Sequence, residues 1–214
     1  MIGTWKKLIN EKELLYPILN ILNNEYRIHN CFPSKNNVFK IFNELDYNKV
    51  RVVILGQDPY PQLNKATGIA FANPKDSITI SPSLRVIRDK VCSQFNKSKE
   101  DFDITLESWV KQGVFLLNTA LTVVENTPDS HTEIWKPFTQ KILSTLSEWN
   151  PGIIYVLLGK KALDFEPYIN IKNNYILKYY HPAYFVRRGL IFDCTMFTDI
   201  NNILQENNNL IINF

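Results

Sequence analysis

Three polar side chains stand where apolar segments of the chain end: Asp58, Asn118 and His181. A carboxylate can stabilise a developing positive charge and orient a water molecule. An amide can read the donor and acceptor pattern of a ligand, and a neutral imidazole can donate a hydrogen bond to a developing negative charge. These residue types are therefore candidates for one common site.

Each of the three residues also has a purely structural interpretation. Asp58 could be a turn former whose carboxylate bonds the local backbone, which is the more frequent role for such a residue taken alone. The side-chain amide of Asn118 could form hydrogen bonds with backbone groups at the end of its strand. For His181, a structural role and a functional role are equally compatible with the sequence. The functional interpretation of Asp58 is favoured by two prolines that bracket Tyr60 and stiffen the loop.

Other features of the sequence have default structural roles. Phe71 is by default a core residue, and residues 80–84 are a helix N-cap followed by a helix. The basic run that begins at Arg187 is by default a solvated face, although beside an exposed aromatic residue it also suits a phosphate backbone. We expect His29 on the surface, and His131 either caps a helix or supports a neighbouring side chain.

The elements that must position these residues follow from short apolar runs. Segments rich in β-branched and aromatic residues, without alternation, predict buried strands at residues 50–55, 114–118, 153–158 and 175–179. Apolar periodicity indicates helices at residues 12–24, 36–45, 83–95, 138–148, 160–165 and 197–204. This alternation favours an α/β fold with an open, mainly parallel, doubly wound four-stranded sheet flanked by helices. Ligands bind such sheets at the carboxyl ends of the strands, where the three polar residues are placed.

Length and composition limit the class of protein. The 214 residues, 45% hydrophobic and 21% charged, suit one domain that spans residues 1–214. The formal net charge of +3 tolerates a polyanionic partner without requiring one. We find no apolar run of membrane-spanning length and no signal peptide, so we expect no membrane association and a cytoplasmic protein, or a nuclear one if the source is eukaryotic or viral.

The three cysteines, Cys31, Cys92 and Cys194, are scattered and lack histidine neighbours at ligand spacing. This pattern argues against zinc, iron–sulfur clusters and disulfides, and it predicts reduced, mostly buried thiols. We therefore expect no metal and no cofactor.

The segments around these residues resemble the uracil-DNA glycosylases of the main, metal-free branch, the family 1 type. The similarity covers nearly the whole chain and is carried by motifs in the family's order: VVILGQDPY at residues 52–60, GIAFA at 68–72, ISPSL at 80–84, LESWVKQGVFLLNTALTV at 106–123 and HP at 181–182. The long fourth motif is the most specific of them.

The resemblance implies a hydrolase that flips uracil out of DNA and cleaves its N-glycosidic bond, leaving an abasic site as the first step of base excision repair. It implies that Asp58 and His181 are catalytic. Asp58 would offset the charge that develops at C1′ and orient the attacking water, and His181, neutral, would donate to uracil O2.

The resemblance also implies a uracil pocket formed by Gln57, Tyr60, Phe71 and Asn118. Asn118 would pair with O4 and N3–H of the base, an arrangement that cytosine cannot match. Phe71 would stack on the ring, and Tyr60 would exclude the thymine methyl group.

The implied DNA contacts are Ser81, Pro82, Ser83, Pro182, Phe185 and Arg187. Phe185 takes the position of the leucine that fills the gap left by the flipped nucleotide, and we expect it to be exposed. The implied partners are uracil-containing DNA, single- or double-stranded, and a protein inhibitor that mimics DNA; the chain would be a monomer.

Departures from the family pattern lie in the site loops. Pro61 replaces the family's usual histidine, and the family's HPSPLS segment is HPAYFV here, at residues 181–186. Ala183 lacks the hydroxyl that would contact phosphate, and Tyr184 is also unusual for the family. We expect these changes to affect the rate of the reaction and the affinity for DNA rather than to abolish activity.

Two other functions remain open. The first is a catalytically weak or silent DNA-binding relative that acts as a replication or repair accessory, which would be favoured if the acid or the imidazole were missing. The second is an α/β protein that binds or hydrolyses small nucleotides, which would need a glycine-rich phosphate loop that the sequence lacks.

Overall fold

The computed structural model describes residues 3–214. Within this range the α-helices are α1 (Tyr16–Ile28), α2 (Lys40–Glu44), α3 (Pro82–Phe95), α4 (Glu107–Val110), α5 (Thr132–Trp149), α6 (Lys160–Leu163), α7 (Pro182–Arg188) and α8 (Met196–Glu206). The strands are β1 (Cys31–Phe32), β2 (Val52–Gly56), β3 (Val114–Asn118), β4 (Val123–Val124), β5 (Ile154–Leu158) and β6 (Tyr175–Tyr179).

The main sheet has four parallel strands in the order β3-β2-β5-β6, which confirms the predicted α/β architecture. Val52 of β2 pairs with Val114 on one side and with Ile154 on the other. Every residue of β2 and β5 is buried, because helices cover both faces and such strands need no polar alternation.

The fourth strand differs from the prediction of a buried strand. In β6, Tyr175 is 38% exposed and Lys178 is also exposed. Among the described strands, β6 pairs only with β5 and forms one edge of the sheet. The other edge, β3, is mostly buried, so the exposure of β6 shows that the surrounding elements cover it less completely. The apolar residues Ile176 and Leu177 of β6 are partly buried and pack on the core.

Several elements were not predicted or have other bounds. The short strands β1 and β4 form an antiparallel pair apart from the main sheet. Helix α5 begins at Thr132 rather than residue 138, because Pro137 lies inside its second turn without ending it. Residues 182–188, expected as a loop, form α7, which begins with Pro182 and ends before Gly189, a residue in the left-handed region.

The core brings the amino-terminal segment against the sheet. The indole of Trp5 is fully buried and stacks on Phe115 of β3 with ring centroids 4.5 Å apart. Phe42 of α2 packs against both Phe115 and Phe138 of α5. Aromatic burial of this kind anchors the strands whose ends form the site described below.

Two further predictions concern the chain as a whole. Cys31, Cys92 and Cys194 are free and buried, as expected. Among the described helices, none combines the length and the apolar composition that crossing a membrane requires.

Candidate active site

A cleft of about 1060 Å³ opens at the carboxyl ends of the parallel strands. Asp58, Asn118 and His181 all line it, as do Gln57, Tyr60, Phe71, Ser83, Phe185 and Arg187. The register explains the convergence, since Gly56 at the end of β2 pairs with Asn118 at the end of β3. Ser81, Pro82 and Pro182 are not among the lining residues.

Asp58 is held by a loop that is distant in the sequence. The backbone N–H of Asp129 donates to Asp58 Oδ2 over 2.8 Å. Burial raises the pKa of the Asp58 carboxyl above its usual value, and this hydrogen bond opposes the increase. The structure thus presents a partly buried carboxylate in a fixed orientation rather than a carboxylate bonded only within its own turn.

The amide of Asn118 faces the cleft beside a glycine. Within residues 3–214, no side chain or backbone group forms a hydrogen bond with this amide, so it does not cap its strand. A Cβ on Gly56 would lie 2.7 Å from Asn118 Oδ1 and 2.8 Å from Phe71 Cζ. Only glycine leaves room at this point for the amide and the aromatic ring to lie side by side.

Phe71 adopts an unusual backbone conformation, with a φ of 66° in the left-handed region. Bulky residues rarely occupy this region, and such strain is found at functional sites. The hydroxyl of Tyr60 donates to the Phe71 carbonyl oxygen over 2.9 Å and so connects the two aromatic residues of the cleft. Burial raises the pKa of Tyr60, and its phenol therefore stays protonated.

His181 is held as one neutral tautomer. The backbone N–H of Ala183 donates to its Nδ1 over 3.1 Å, so Nδ1 carries a lone pair and the proton of the neutral ring is on Nε2. Burial, together with the positive charge of Arg187, lowers the pKa of His181 to about 4. The ring centroid lies 5.6 Å from that of Phe71. His181 is therefore a neutral N–H donor beside an aromatic face.

The loop before α3 is held by hydrogen bonds with Asn73, a residue that the sequence analysis did not identify. The fully buried Asn73 accepts from the backbone N–H of Ser81 over 2.6 Å and donates to Ser81 Oγ over 2.8 Å. Ser81 occupies the expected N-cap position, but its side chain does not cap the helix. Pro82 is exposed and Ser83 is buried at the amino-terminal end of α3.

Phe185 is not the exposed aromatic residue that was expected. It is half-buried and packs against the core, with its ring centroid 5.1 Å from that of Phe192. The helical conformation of α7 turns it toward that neighbour. Tyr180 is the exposed aromatic side chain here, at 68%, and its ring stacks on Tyr184.

Of the other histidines, His29 is exposed as expected and His131 is structural. His131 lies at the N-cap position of α5 without capping the helix. It is 2% exposed, and its Nδ1 lies 2.8 Å from the Thr122 hydroxyl, to which Trp135 Nε1 donates. Burial lowers the pKa of His131. It therefore supports neighbouring side chains, the second of its two sequence-based interpretations.

Histidine, cysteine and carboxylate side chains do not assemble into a metal-binding group in the part of the chain that the structure describes. The polar groups that end the strands around the cleft include the carboxylate of Asp58, the unbonded amide of Asn118 and the imidazole of His181. A cleft with converging polar groups at the carboxyl ends of a parallel sheet is the arrangement typical of α/β enzymes that bind a small ligand there.

Comparison with known proteins identifies the family. The model of the uracil DNA glycosylase superfamily matches residues 42–205. The uracil-DNA glycosylase of Buchnera aphidicola subsp. Acyrthosiphon pisum (strain Tuc7) is 36% identical over 218 residues, which cover 100% of this chain and 99% of that protein. The uracil-DNA glycosylase of Mycoplasmopsis pulmonis (strain UAB CTIP) is 37% identical over 205 residues, 95% of this chain and 90% of that protein.

Among solved structures, mimivirus uracil-DNA glycosylase superimposes with a TM-score of 0.85 at 25% identity, over 99% of this chain and 86% of that chain. A mimivirus UNG variant in complex with UGI gives a TM-score of 0.87, also at 25% identity, over 99% and 88% of the two chains. The chain belongs to the uracil-DNA glycosylase family, and the sequence-based prediction of a hydrolase that excises uracil from DNA is confirmed.

Proposed function

We propose that this chain hydrolyses the N-glycosidic bond of deoxyuridine in DNA with Asp58 and His181 as its catalytic residues. The observation that carries this assignment is the fixed tautomer of His181, which directs an Nε2–H donor without a positive charge at the cleft. A neutral donor can strengthen its hydrogen bond as uracil O2 gains negative charge, without tight binding of the ground state.

In the proposed reaction, a water molecule attacks C1′ of the deoxyribose. The bond between C1′ and N1 of uracil breaks, and its electron pair leaves with the base, where it is delocalised onto O2. Asp58 orients the water through its carboxylate and offsets the positive charge that develops on the sugar. The proton of the water passes to Asp58 or to solvent, and the uracil anion then takes up a proton from solvent, so the products are free uracil and an abasic site.

The pocket residues select the base by two kinds of contact. The amide of Asn118 has no bond to the rest of the described chain, which supports its role as the reader of O4 and N3–H. Phe71 stacks on the base, and Tyr60 occupies the space beside C5. Gln57 completes the pocket, although its side-chain Nε2 is already bonded to Asp129 Oδ1 over 3.0 Å.

DNA contacts are proposed on both sides of the cleft. On one side, Ser81, Pro82 and Ser83 lie at the amino-terminal end of the 14-residue helix α3, where backbone N–H groups favour a phosphate. On the other side, Pro182, Phe185 and Arg187 belong to α7, and Arg187 adds an exposed positive charge.

We propose single- and double-stranded uracil-containing DNA as the substrate. We also propose the cytoplasm as the site of action, since DNA repair requires access to the genome and the similar proteins of Buchnera aphidicola and Mycoplasmopsis pulmonis are bacterial. A protein inhibitor of the DNA-mimicking kind is a further proposed partner. The mimivirus variant in complex with UGI, whose similarity covers 99% of this chain and 88% of that chain, supports this proposal.

The test is uracil release from a labelled oligonucleotide, under single-turnover conditions and with EDTA present. We expect release without strand cleavage, and Asp58→Asn and His181→Leu should each lower the rate by about 10² or more. The variant Glu133→Gln, on the exposed surface of α5, is the matched control and should behave as the wild type. Near-normal rates in both site variants would overturn the assignment.

A further inference from the structure

Asp129 lies in the loop before α5 and reaches the catalytic cleft from a distance of 71 residues along the chain. Its φ of 67° is in the left-handed region, which aspartate tolerates better than most residues. This conformation directs its backbone N–H to Asp58 Oδ2. Besides the backbone of Asp58 itself, Asp129 is the one residue in the described part of the chain that donates to the Asp58 carboxylate, and it does so at Oδ2.

The side-chain carboxylate of Asp129 contacts donor groups from several elements of the fold. Its Oδ1 accepts from Gln57 Nε2 over 3.0 Å and from the Thr132 hydroxyl over 3.2 Å. The same oxygen lies 3.3 Å from Lys161 Nζ of α6. One carboxylate thus connects the loop after β2, the beginning of α5 and the helix after β5.

The ion pair between Asp129 and Lys161 contributes little to stability, because its side chains are 42% and 45% exposed. Its effect on Asp58 is electrostatic. The negative charge of Asp129 raises the pKa of Asp58 and the positive charge of Lys161 lowers it. Lys160 and His181 line the same cleft from α6 and from the start of α7.

We propose that Asp129, paired with Lys161, is a positioning residue for the reaction: it fixes the Asp58 carboxylate toward the attacking water and keeps the charge near it balanced. This inference rests on the proposed catalytic role of Asp58. Asp129 would act through Asp58 and need not touch the substrate.

The geometric part of the proposal is tested with Asp129→Gly, because glycine accepts a positive φ and keeps the backbone N–H. Without the carboxylate the loop loses its bonds to Gln57, Thr132 and Lys161. The single-turnover rate should fall about 10-fold, a size typical of coupling within one hydrogen-bonded network, while KM for a short oligonucleotide stays unchanged. A rate equal to that of the wild type would overturn the geometric role.

The electrostatic part is tested with the pH dependence of the single-turnover rate. Asp129→Asn removes a negative charge and should move the acidic limb of the profile to lower pH. Lys161→Met removes the compensating positive charge and should move the limb to higher pH. Opposite shifts are expected because Asp58 is active as the carboxylate, and a merely structural role would not produce them.

Two controls make the result specific to Asp58. In an Asp58→Asn background, Asp129→Asn should leave the residual pH profile unmoved, since the remaining ionisation belongs to other groups. Lys136→Met, which breaks an exposed ion pair with Glu133 further along α5, should have no effect. Profiles of Asp129→Asn and Lys161→Met that superimpose on the wild-type profile would overturn the proposal, whereas failure of the wild type to release uracil would overturn the proposed function itself.

Discussion

Gly159 lies directly against His181: a Cβ added to Gly159 would come within 2.8 Å of the Cβ of His181. Gly159 follows β5 and His181 follows β6, so the absence of a side chain at one strand end allows the imidazole at the next to enter the cleft. The φ of Gly159, 82°, also favours glycine.

We therefore expect Gly159→Ala to lower the single-turnover rate of uracil release by about 10² through displacement of His181. The matched control is Gly152→Ala, because Gly152 has a φ of 86° but no atom lies within 4 Å of the point that an added Cβ would occupy. Both variants share the backbone strain, which should lower the melting temperature similarly. Equal effects on the rate would indicate that the space beside His181 has no catalytic importance.

The neutral state of His181 predicts its behaviour in solution. With a pKa of about 4, its ring should not titrate between pH 5 and 8, and its proton should stay on Nε2. Nitrogen-15 NMR of the imidazole measures both properties. An inflection near the unperturbed value of about 6.5 would contradict the assignment.

The lowered pKa of His181 also has a consequence for stability. The unfolded chain binds a proton at this residue below about pH 6.5, but the folded chain does so only below about pH 4. The contribution of His181 to the free energy of unfolding is therefore fully present above about pH 6.5 and is lost progressively as the pH falls toward 4. The dependence should be weaker in His181→Leu, which urea denaturation at several pH values can measure.

Asn118 and Tyr60 should select the base by different means, Asn118 through hydrogen bonds and Tyr60 through the space it fills. Asn118→Asp, when its carboxyl is protonated, can donate to cytosine N3 and accept from the N4 amino group, so it should gain some cytosine release and lose uracil activity. Tyr60→Ala should admit the thymine methyl group and give weak thymine release without cytosine release. Oligonucleotides that differ only in the target base distinguish the two changes.

Tyr60→Phe is the control for the second change, because it keeps the ring but loses the hydrogen bond to the Phe71 carbonyl oxygen. It should still reject thymine. Release of thymine by Asn118→Asp, or of cytosine by Tyr60→Ala, would show that the pocket does not select bases in the proposed way.

The half-buried position of Phe185 changes what its removal should do. Phe185→Ala should lower the free energy of unfolding by about 1–3 kcal/mol, since the ring packs on Phe192, and should slow uracil release more from duplex than from single-stranded DNA. Phe192→Ala, at a site 3% exposed, should destabilise the fold without changing the preference for either form of DNA. If both variants lose only stability, Phe185 has no role in the duplex.

The amino-acid sequence by itself determined the sheet and the residues at its edge. Apolar strands with helices between them favour parallel pairing, and parallel strands end at one rim, so the order of elements along the chain is enough to place Asp58, Asn118 and His181 at the same end of the sheet. The family motifs agreed with this placement because they occupy the same strand ends.

The tertiary structure alone decided how these side chains are held. Asp129 donates to Asp58 across 71 residues, Gly159 makes room for His181, and the start of α7 selects the tautomer of that ring. The same packing turned Phe185 toward the core. Local patterns report the periodicity of an element, whereas these relationships depend on which distant segments come into contact, and that is set by the packing of the whole fold.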